Sequence, residues 1–293
     1  MPAITTHLWF DKEAAEAARF YTSLFPESRV TNTTLLHDTP SGTVEVVDIE
    51  LAGQAFTLLS AGPLFKFTPA VSFAVACATR EEVDALWNGL SAGGSILMEL
   101  GEYPFSERYG WLADKYGLSW QVMVAPDVSQ KITPSLLFVG AQCGKAEEAI
   151  RFYASVFPNS AVGPIARYEK GEEPDKEGTV KYATFTLGGQ GFAATDSAYE
   201  HAFAFNEAIS FMVHCATQEE IDYYWEKLSA DFEAEQCGWL KDKYGLSWQI
   251  VPTAMDEMMR QGSPEEMARV TEAFLKMKKF DIETLRRAYE GTS

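Results

Sequence analysis

The chain has 293 residues, of which 46% are hydrophobic and 23% charged, an ordinary globular composition with the length of about two domains. Its formal net charge of −18 at pH 7 excludes nucleic acid and anionic membranes as partners, because both require a positively charged face. The sequence contains no run of 18 apolar residues and no secretory signal, so we expect no membrane span. The four cysteines form no CxxC pair, and we expect a reducing, cytoplasmic setting.

The first part of the chain alternates between strand-like and helix-like periodicity. A β-rich stretch at Ile4–Phe10 is followed by a helical stripe over Asp11–Phe25, which ends at Pro26. Three strand-like runs follow, at Arg29–Leu36, Val44–Leu51 and Gln54–Leu59. The same order then returns as a strand, a helix opened by a capping box and three more strands, at Val71–Cys77, Thr79–Leu90, Ile96–Leu100, Tyr109–Leu112 and Leu118–Val124. This pattern predicts two βαβββ modules in succession.

The second part of the chain repeats the first in the same order. The stretch Gly110–Gln121 returns 128 residues later as Gly238–Gln249, with a single difference, Ala113 against Lys241. Shorter segments recur as well, such as Val71–Ala92 at Ile209–Ala230 and Ile4–Phe10 at Ile132–Phe138. The segment between the last helix and the repeated stretch is ten residues shorter in the second copy, which predicts a trimmed strand or hairpin there. The chain is therefore a tandem duplication.

The end of the chain has a different, helical pattern. Ser263, Pro264 and Glu266 provide an N-cap, a proline at the first helical position and an acidic residue at N3. Helices are predicted from there to about Lys278 and over Asp281–Tyr289, with an apolar face that packs on the domains or on a partner subunit. We predict an α+β fold divided into an N-terminal domain at 1–128, a homologous domain at 129–254 and a helical tail at 255–293.

Several motifs resemble one known family. They are RFY…FP, CAT[RQ]EE[VI]D…W…LSA, the repeated GWLxDKYGLSWQ and the closing KKFDIETLRRAY. Together with the tandem βαβββ plan, they are similar to the PhnB-like branch of the vicinal oxygen chelate superfamily, a branch often labelled 3-demethylubiquinone-9 3-methyltransferase. The resemblance covers nearly the whole chain. It implies the glyoxalase/bleomycin resistance fold, in which paired modules form open, cupped sheets with a concave site, and it implies no particular substrate.

The resemblance also implies where a metal would be held. Catalytic members of the superfamily bind a divalent metal through a His on the first strand, a His or Gln on the strand that opens the second module, and a Glu on the last strand. Here the first strand carries His7 in one repeat and Ser135 in the other, neither opening strand offers His or carboxylate, and the last strands carry Gln121 and Gln249. No position has a full ligand set, because Gln offers a neutral oxygen in place of a charge. No cofactor is firmly implied; a divalent metal is left open, with His7 as its one candidate ligand.

A concave site without a metal could still bind a small molecule. The candidate lining residues are His7, Gln121, Asp196, Phe205, Trp239 and Gln249. Each has a structural alternative: Asp196 could cap a turn, Phe205 could pack beneath the sheet, and His7 could be a hydrogen-bonded strand residue. Strand alternation places Trp120 and Trp248 opposite the glutamines, in the core.

Two functions compete on this basis. The first is a small-molecule-binding protein of undetermined activity, with an aromatic-lined cleft and no dependence on metal. The alternative is a divalent-metal-dependent isomerase, lyase or dioxygenase. Methyltransferase activity is disfavoured, because the chain lacks the strand–GxGxxG–helix unit that holds nucleoside cofactors. A structural role as a homo-oligomer is also left open.

Overall fold

The computed structural model describes residues 3–126 and 128–292. These residues form two mixed β-sheets with interleaved helices, which confirms the predicted α+β class. They divide into two compact units, and neither unit is a continuous stretch of chain. The seven-strand unit contains the residues up to 23, 27–66 and from 206 onward, and the eight-strand unit contains 24–26 and 67–205.

Strands supply most of the framework. In chain order they are β1 Ile4–Phe10, β2 Arg29–Thr39, β3 Gly42–Leu51, β4 Gln54–Ser60, β5 Val71–Cys77, β6 Ser95–Tyr103, β7 Ser106–Ala113, β8 Ser119–Val124, β9 Ile132–Phe138, β10 Ala161–Arg167, β11 Val180–Leu187, β12 Gln190–Asp196, β13 Ile209–Cys215, β14 Trp239–Lys241 and β15 Ser247–Pro252. The α-helices are α1 Ala14–Leu24, α2 Arg80–Ser91, α3 Ala146–Val156, α4 Gln218–Leu228, α5 Thr253–Gln261, α6 Pro264–Phe274 and α7 Ile282–Glu290.

The modules pair across the two sequence repeats. In the seven-strand unit the sheet order is β14-β15-β13-β1-β4-β3-β2, so the first module joins the fourth through the antiparallel pair β1–β13. In the eight-strand unit the order is β10-β11-β12-β9-β5-β8-β7-β6, and the second module joins the third through β5–β9. The sequence prediction divides the chain near residue 128, whereas each sheet takes strands from both sides of that point. Within its own module, the first strand has a paired neighbour on one side only. On its other side it pairs with the first strand of a module from the other sequence repeat.

The fourth module is trimmed, as its shorter sequence predicts. The second module has two full strands, β6 and β7, before β8. In the fourth module, β14 has only three residues, and a single 3-10 turn at Phe232–Ala234 stands in place of the strand that would match β6. The shortened sheet leaves the strand at Trp239 close to one edge of the seven-strand unit.

The C-terminal tail contains one more helix than the sequence predicts. Helices α6 and α7 match the two predicted helices, and Ser263 and Glu266 form the predicted capping box. Helix α5 begins directly after β15, with Pro252 at its N-cap and no side-chain cap. The usual signal of a helix start, a Ser, Thr, Asp or Asn at the N-cap, is therefore missing at this point. No described helix is long and apolar enough to cross a bilayer.

The duplicated stretch is closed by the same contacts in both copies. The Asp242 carboxylate accepts hydrogen bonds from the backbone N–H of Tyr244 (2.8 Å) and Leu246 (3.1 Å) and from the Trp248 indole Nε1 (2.9 Å). Asp114 makes the matching bonds to Tyr116, Leu118 and Trp120. Both indoles are fully buried, which confirms their predicted place in the core. Much of the near-identity of the two stretches therefore serves this buried turn.

Candidate functional site

Strand alternation divides the seven-stranded sheet into two faces. Leu8 and Phe10 of β1 are buried on the core face, and we call the opposite face, which carries Thr5, His7 and Trp9, the His7 face. The antiparallel register places His7 opposite Ser210 of β13. The candidate site on this face therefore draws on strands from the first and fourth modules.

His7 is the most unusual side chain of this face. It is 4% exposed, and its Nδ1 atom has no hydrogen-bond partner among the described residues. Its ring lies nearly perpendicular to that of Trp239, with the centroids 5.1 Å apart. Burial lowers the pKa of His7 from 6.5 to about 3, because the charged imidazolium would lose its hydration without gaining a partner. The imidazole is therefore neutral at physiological pH, with a buried nitrogen left to accept or donate a hydrogen bond.

Aromatic rings border His7. The Trp9 and Trp239 rings have centroids 6.1 Å apart, and Phe65 lies 5.1 Å from Trp9. The Trp9 indole Nε1 donates to the Gly62 carbonyl at 2.8 Å, which fixes that ring in place. Both indoles are only partly buried, so part of their surface is open to solvent. Such rings give a flat ligand a large apolar contact area.

A glutamine–serine pair adds polar groups to the same face. Gln249 of β15, which lies opposite Trp239 in the sheet register, is 6% exposed and donates from its Nε2 to the Ser210 hydroxyl at 2.9 Å. Among the described residues, nothing donates a hydrogen bond to the Gln249 Oε1 atom. The Ser247 hydroxyl, two residues earlier on β15, is also buried and has no hydrogen-bond partner within the described part of the chain. The predicted residues His7, Trp239 and Gln249 are therefore brought together. Ser210 and Trp9 join them, and strand alternation combined with the strand pairing would have identified both.

The eight-stranded sheet carries a related but more satisfied group. Gln121 donates to the Ser72 hydroxyl at 2.7 Å, and its Oε1 accepts from the Tyr109 hydroxyl at 3.0 Å. Burial raises the pKa of Tyr109, which keeps its hydroxyl protonated as the donor. The position that matches Tyr109 in the other repeat is Cys237, which precedes Gly238 as Tyr109 precedes Gly110. In the eight-strand unit the glutamine Oε1 atom therefore has a hydrogen-bond donor, Tyr109, and in the seven-strand unit the matching residue, Cys237, has no hydroxyl to donate.

The two remaining predicted residues lie elsewhere in the eight-strand unit. Asp196 is buried, and its carboxylate accepts from the backbone N–H of Gly144 (2.7 Å), Ala146 (3.1 Å) and Val180 (2.9 Å). Burial raises the pKa of Asp196, while these three bonds favour the charged form. It therefore anchors the start of α3, the capping role that was its alternative. Phe205 packs its ring against Phe138, with centroids 5.2 Å apart, rather than beside the polar groups.

The donor atoms near His7 do not fit a tightly held divalent metal ion. They are one neutral imidazole, the Ser210 and Thr57 hydroxyls beside it in the sheet register, and the Gln249 amide. The Asp48 carboxylate follows Thr57 in the same register row and accepts a hydrogen bond from its hydroxyl at 2.8 Å, whereas tightly held metals are bound by several imidazole, thiolate or carboxylate ligands together. Within residues 3–126 and 128–292, no three His, Cys, Asp or Glu side chains are grouped so that they could hold a metal. What the arrangement can do is bind: it offers aromatic faces and neutral hydrogen-bonding atoms.

Comparison with known families gives the chain its relatives. A family model described as 3-demethylubiquinone-9 3-methyltransferase matches twice, over residues 2–123 and 130–251. The chain belongs to this family. The two matches correspond to the two sequence repeats, and they confirm the PhnB-like resemblance and the tandem duplication. The comparison with curated proteins gave no match.

Comparison with solved structures gives further likenesses. A PhnB protein from Bacillus cereus, described as a 3-demethylubiquinone-9 3-methyltransferase, is 41% identical over 41% of this chain and 98% of its own, with a TM-score of 0.39. Glyoxalase I from Zea mays is 12% identical, covers 88% of this chain and 96% of its own, and has a TM-score of 0.55. The fosfomycin resistance protein FosX from Listeria monocytogenes is 16% identical over 41% of this chain and 89% of its own, with a TM-score of 0.33. The maize likeness confirms the glyoxalase-type fold.

Proposed function

We propose that the His7 face binds a small, uncharged molecule with a flat apolar body and one hydroxyl or amide group, and that this binding needs no metal. The observation that carries the proposal is the buried His7 Nδ1 atom, which has no partner among the described residues and lies beside the Trp239 ring. An unpaired buried polar atom is unfavourable by about 1–3 kcal/mol, and a ligand that hydrogen-bonds to it recovers part of that energy.

The charges around the face favour a neutral ligand. Lys241 lies two residues after Trp239 on β14, but its ammonium is paired with the Glu207 carboxylate at 2.8 Å. An anionic ligand would therefore find the Lys241 ammonium already paired, and it would also face the Asp48 carboxylate, which lies in the same register row as His7 and accepts hydrogen bonds from Thr57 and Asn32. Moving an unpaired charge into such a desolvated site is strongly unfavourable, whereas a hydroxyl needs only one partner.

The test compares three probes of the same shape: naphthalene, 2-naphthol and 2-naphthoate. Tryptophan fluorescence titration should give the order 2-naphthol, naphthalene, 2-naphthoate from tightest to weakest, with the hydroxyl contributing about 3–10-fold in affinity. The His7→Phe variant keeps a planar aromatic ring but has no hydrogen-bonding nitrogen, so naphthalene binding should persist while the preference for 2-naphthol disappears. Ser135→Ala, at the matching position of the eight-stranded sheet, is the control and should keep the preference.

Two results would count against the proposal. If none of the probes binds the wild-type protein, the His7 face is not a site for flat apolar molecules. If binding requires added Zn²⁺ or Ni²⁺ and is abolished by EDTA, the result supports the alternative hypothesis of a metal-dependent enzyme. The result that supports the proposal is a His7→Phe variant that is folded by circular dichroism and binds 2-naphthol and naphthalene with equal affinity.

Three further expectations belong with the proposal. Methyl transfer, which the family description names, is not proposed, because both sheets are mixed and the chain lacks a nucleotide-binding glycine motif. A cytoplasmic location accords with four cysteines that are all free. Assembly into a homo-oligomer stays a prediction, which light scattering would test directly.

A further inference from the structure

Three side chains of the seven-strand unit, Asp256, His214 and Thr5, form a hydrogen-bonded series that has no part in the proposed ligand binding. The Asp256 Oδ2 atom lies 2.9 Å from His214 Nδ1, and His214 Nε2 lies 3.1 Å from the Thr5 hydroxyl. Carboxylate, imidazole and hydroxyl thus follow one another through opposite nitrogens of the same ring. This is the connectivity that activates a hydroxyl nucleophile in acyl-transfer enzymes, a constellation that is recognised by its geometry rather than by fold.

Each member of the chain is placed by a different element. Thr5 lies on β1 two residues before His7, on the His7 face, and His214 lies on the neighbouring strand β13. Asp256 comes from the first turn of α5. The side chains of His214 and Asp256 are 18% and 30% exposed, and Thr5 is also only partly buried. The three residues therefore keep part of their surface exposed.

The other repeat provides an internal comparison. Thr133 occupies the position of Thr5 on β9, but Ala76 stands where His214 stands on β13. Among the described residues between β8 and β9, none forms a helix that matches α5. The shared fold therefore does not need the imidazole, and the hydrogen-bonded series Thr5–His214–Asp256 has no full counterpart among the described residues of the eight-strand unit.

We propose that Thr5 is the nucleophile of a slow acyl-transfer activity, with His214 as its general base and Asp256 as the residue that positions the imidazole. The Thr5 oxygen attacks the carbonyl carbon of an ester as His214 Nε2 takes the hydroxyl proton. The bond between carbonyl carbon and alkoxy oxygen breaks, and the leaving alcohol receives the proton from His214. Water then attacks the acyl-threonine by the same proton path, which releases a carboxylic acid and restores Thr5.

The surroundings indicate the class of ester. Thr5 lies opposite Met212 in the strand register, and the next residue of β1 on this face is the uncharged His7. A methionine side chain adapts to apolar groups of varied shape. We expect esters with a short, uncharged acyl chain to react faster than esters with a charged one.

The test begins with covalent labelling of the wild-type protein by an alkyl fluorophosphonate, in which the Thr5 oxygen forms a bond to phosphorus as fluoride leaves. Fragmentation of the N-terminal peptide should place the phosphonyl group on Thr5 and not on Thr6, whose side chain is buried on the core face. If the wild-type protein carries no label on Thr5, the proposal is wrong, and this result does not depend on any variant.

Hydrolysis of p-nitrophenyl butyrate then assigns the roles. Thr5→Val and His214→Gln should each lower the rate by about 100-fold, the usual size of a general-base contribution. Thr5→Ser, which keeps the hydroxyl, should retain the activity. Asp256→Asn keeps the size of the side chain, so a lower rate with an unchanged melting temperature would show that the carboxylate positions the imidazole. Thr133→Val is the matched control, and a loss there equal to that of Thr5→Val would overturn the proposal.

Discussion

A buried histidine whose Nδ1 atom has no hydrogen-bond partner among the described residues makes the stability of this protein depend on pH. The pKa of His7 is lowered from 6.5 to about 3 by burial alone. Between these two values the unfolded chain binds a proton at this residue and the folded chain does not. Stability therefore falls as the pH is lowered through this window, and the contribution is constant above it.

Replacing His7 by Phe should remove this dependence. Because each pKa unit corresponds to about 1.4 kcal/mol, the wild-type protein should lose about 2 kcal/mol more than the His7→Phe variant between pH 7 and pH 5. Urea unfolding at a series of pH values measures the difference. The His37→Gln variant, in which an exposed ring is replaced, is the control. Parallel wild-type and His7→Phe profiles would mean that His7 is solvated or paired in solution.

The same residue shows what the sequence could and could not predict. His7, Trp239 and Gln249 were candidates from their strand positions, and the structure brings them to one face. Asp196 had an equally good pattern, yet its carboxylate anchors the start of α3. Asp196 differs from the other candidates because its side chain points toward helix α3. Alternation along one strand shows which residues share a face of the sheet, but it does not show which face a helix covers. That is determined by how the strands pair and where the helices pack.

At the scale of elements, the repeated stretch is held by one buried carboxylate in each copy. The Asp242→Ala variant would leave the Trp248 indole and two backbone N–H groups without an acceptor. Because each of these three unsatisfied buried donors is unfavourable by about 1–3 kcal/mol, we expect a loss of at least about 3 kcal/mol in the free energy of unfolding. Asp242→Asn should fall between, because its amide nitrogen cannot accept a hydrogen bond.

Urea unfolding of the three proteins measures this loss, with Asp222→Ala as the control. Asp222 lies on α4 and makes an exposed ion pair with Lys279, so its removal should change the free energy by less than about 1 kcal/mol. A loss for Asp242→Ala no larger than that of the control would show that the turn is held by its backbone alone. The near-identity of the two stretches would then need another explanation, such as a shared ligand contact.

For the whole molecule, the repeats in the sequence and the compact units are different divisions of the chain. The sequence reveals four modules in order, but not which of them share a sheet. The second and fourth modules open with almost the same strand, Val71–Cys77 and Ile209–Cys215, so either could pair with β1. In the structure β1 pairs with β13 and β9 pairs with β5. The choice depends on connections and packing throughout the chain, which no local pattern contains.

This interchangeability predicts the behaviour of half of the chain. A fragment of residues 1–128 contains β1 without β13 and β5 without β9, so an inner strand of each sheet would expose an unpaired edge. Since β5 shares four of its seven residues with β13 and occupies the same place in its module, β1 of one copy can pair with β5 of a second copy, and the reverse pair forms by symmetry. We expect the fragment to be a folded dimer, and multi-angle light scattering with circular dichroism measures both properties.

A Val75→Pro substitution, which removes a backbone donor from the middle of β5, should abolish the dimer, because proline cannot take part in the ladder. A folded monomer would contradict the prediction, because it would require β1 and β5 of one copy to pair with each other or to remain stable unpaired.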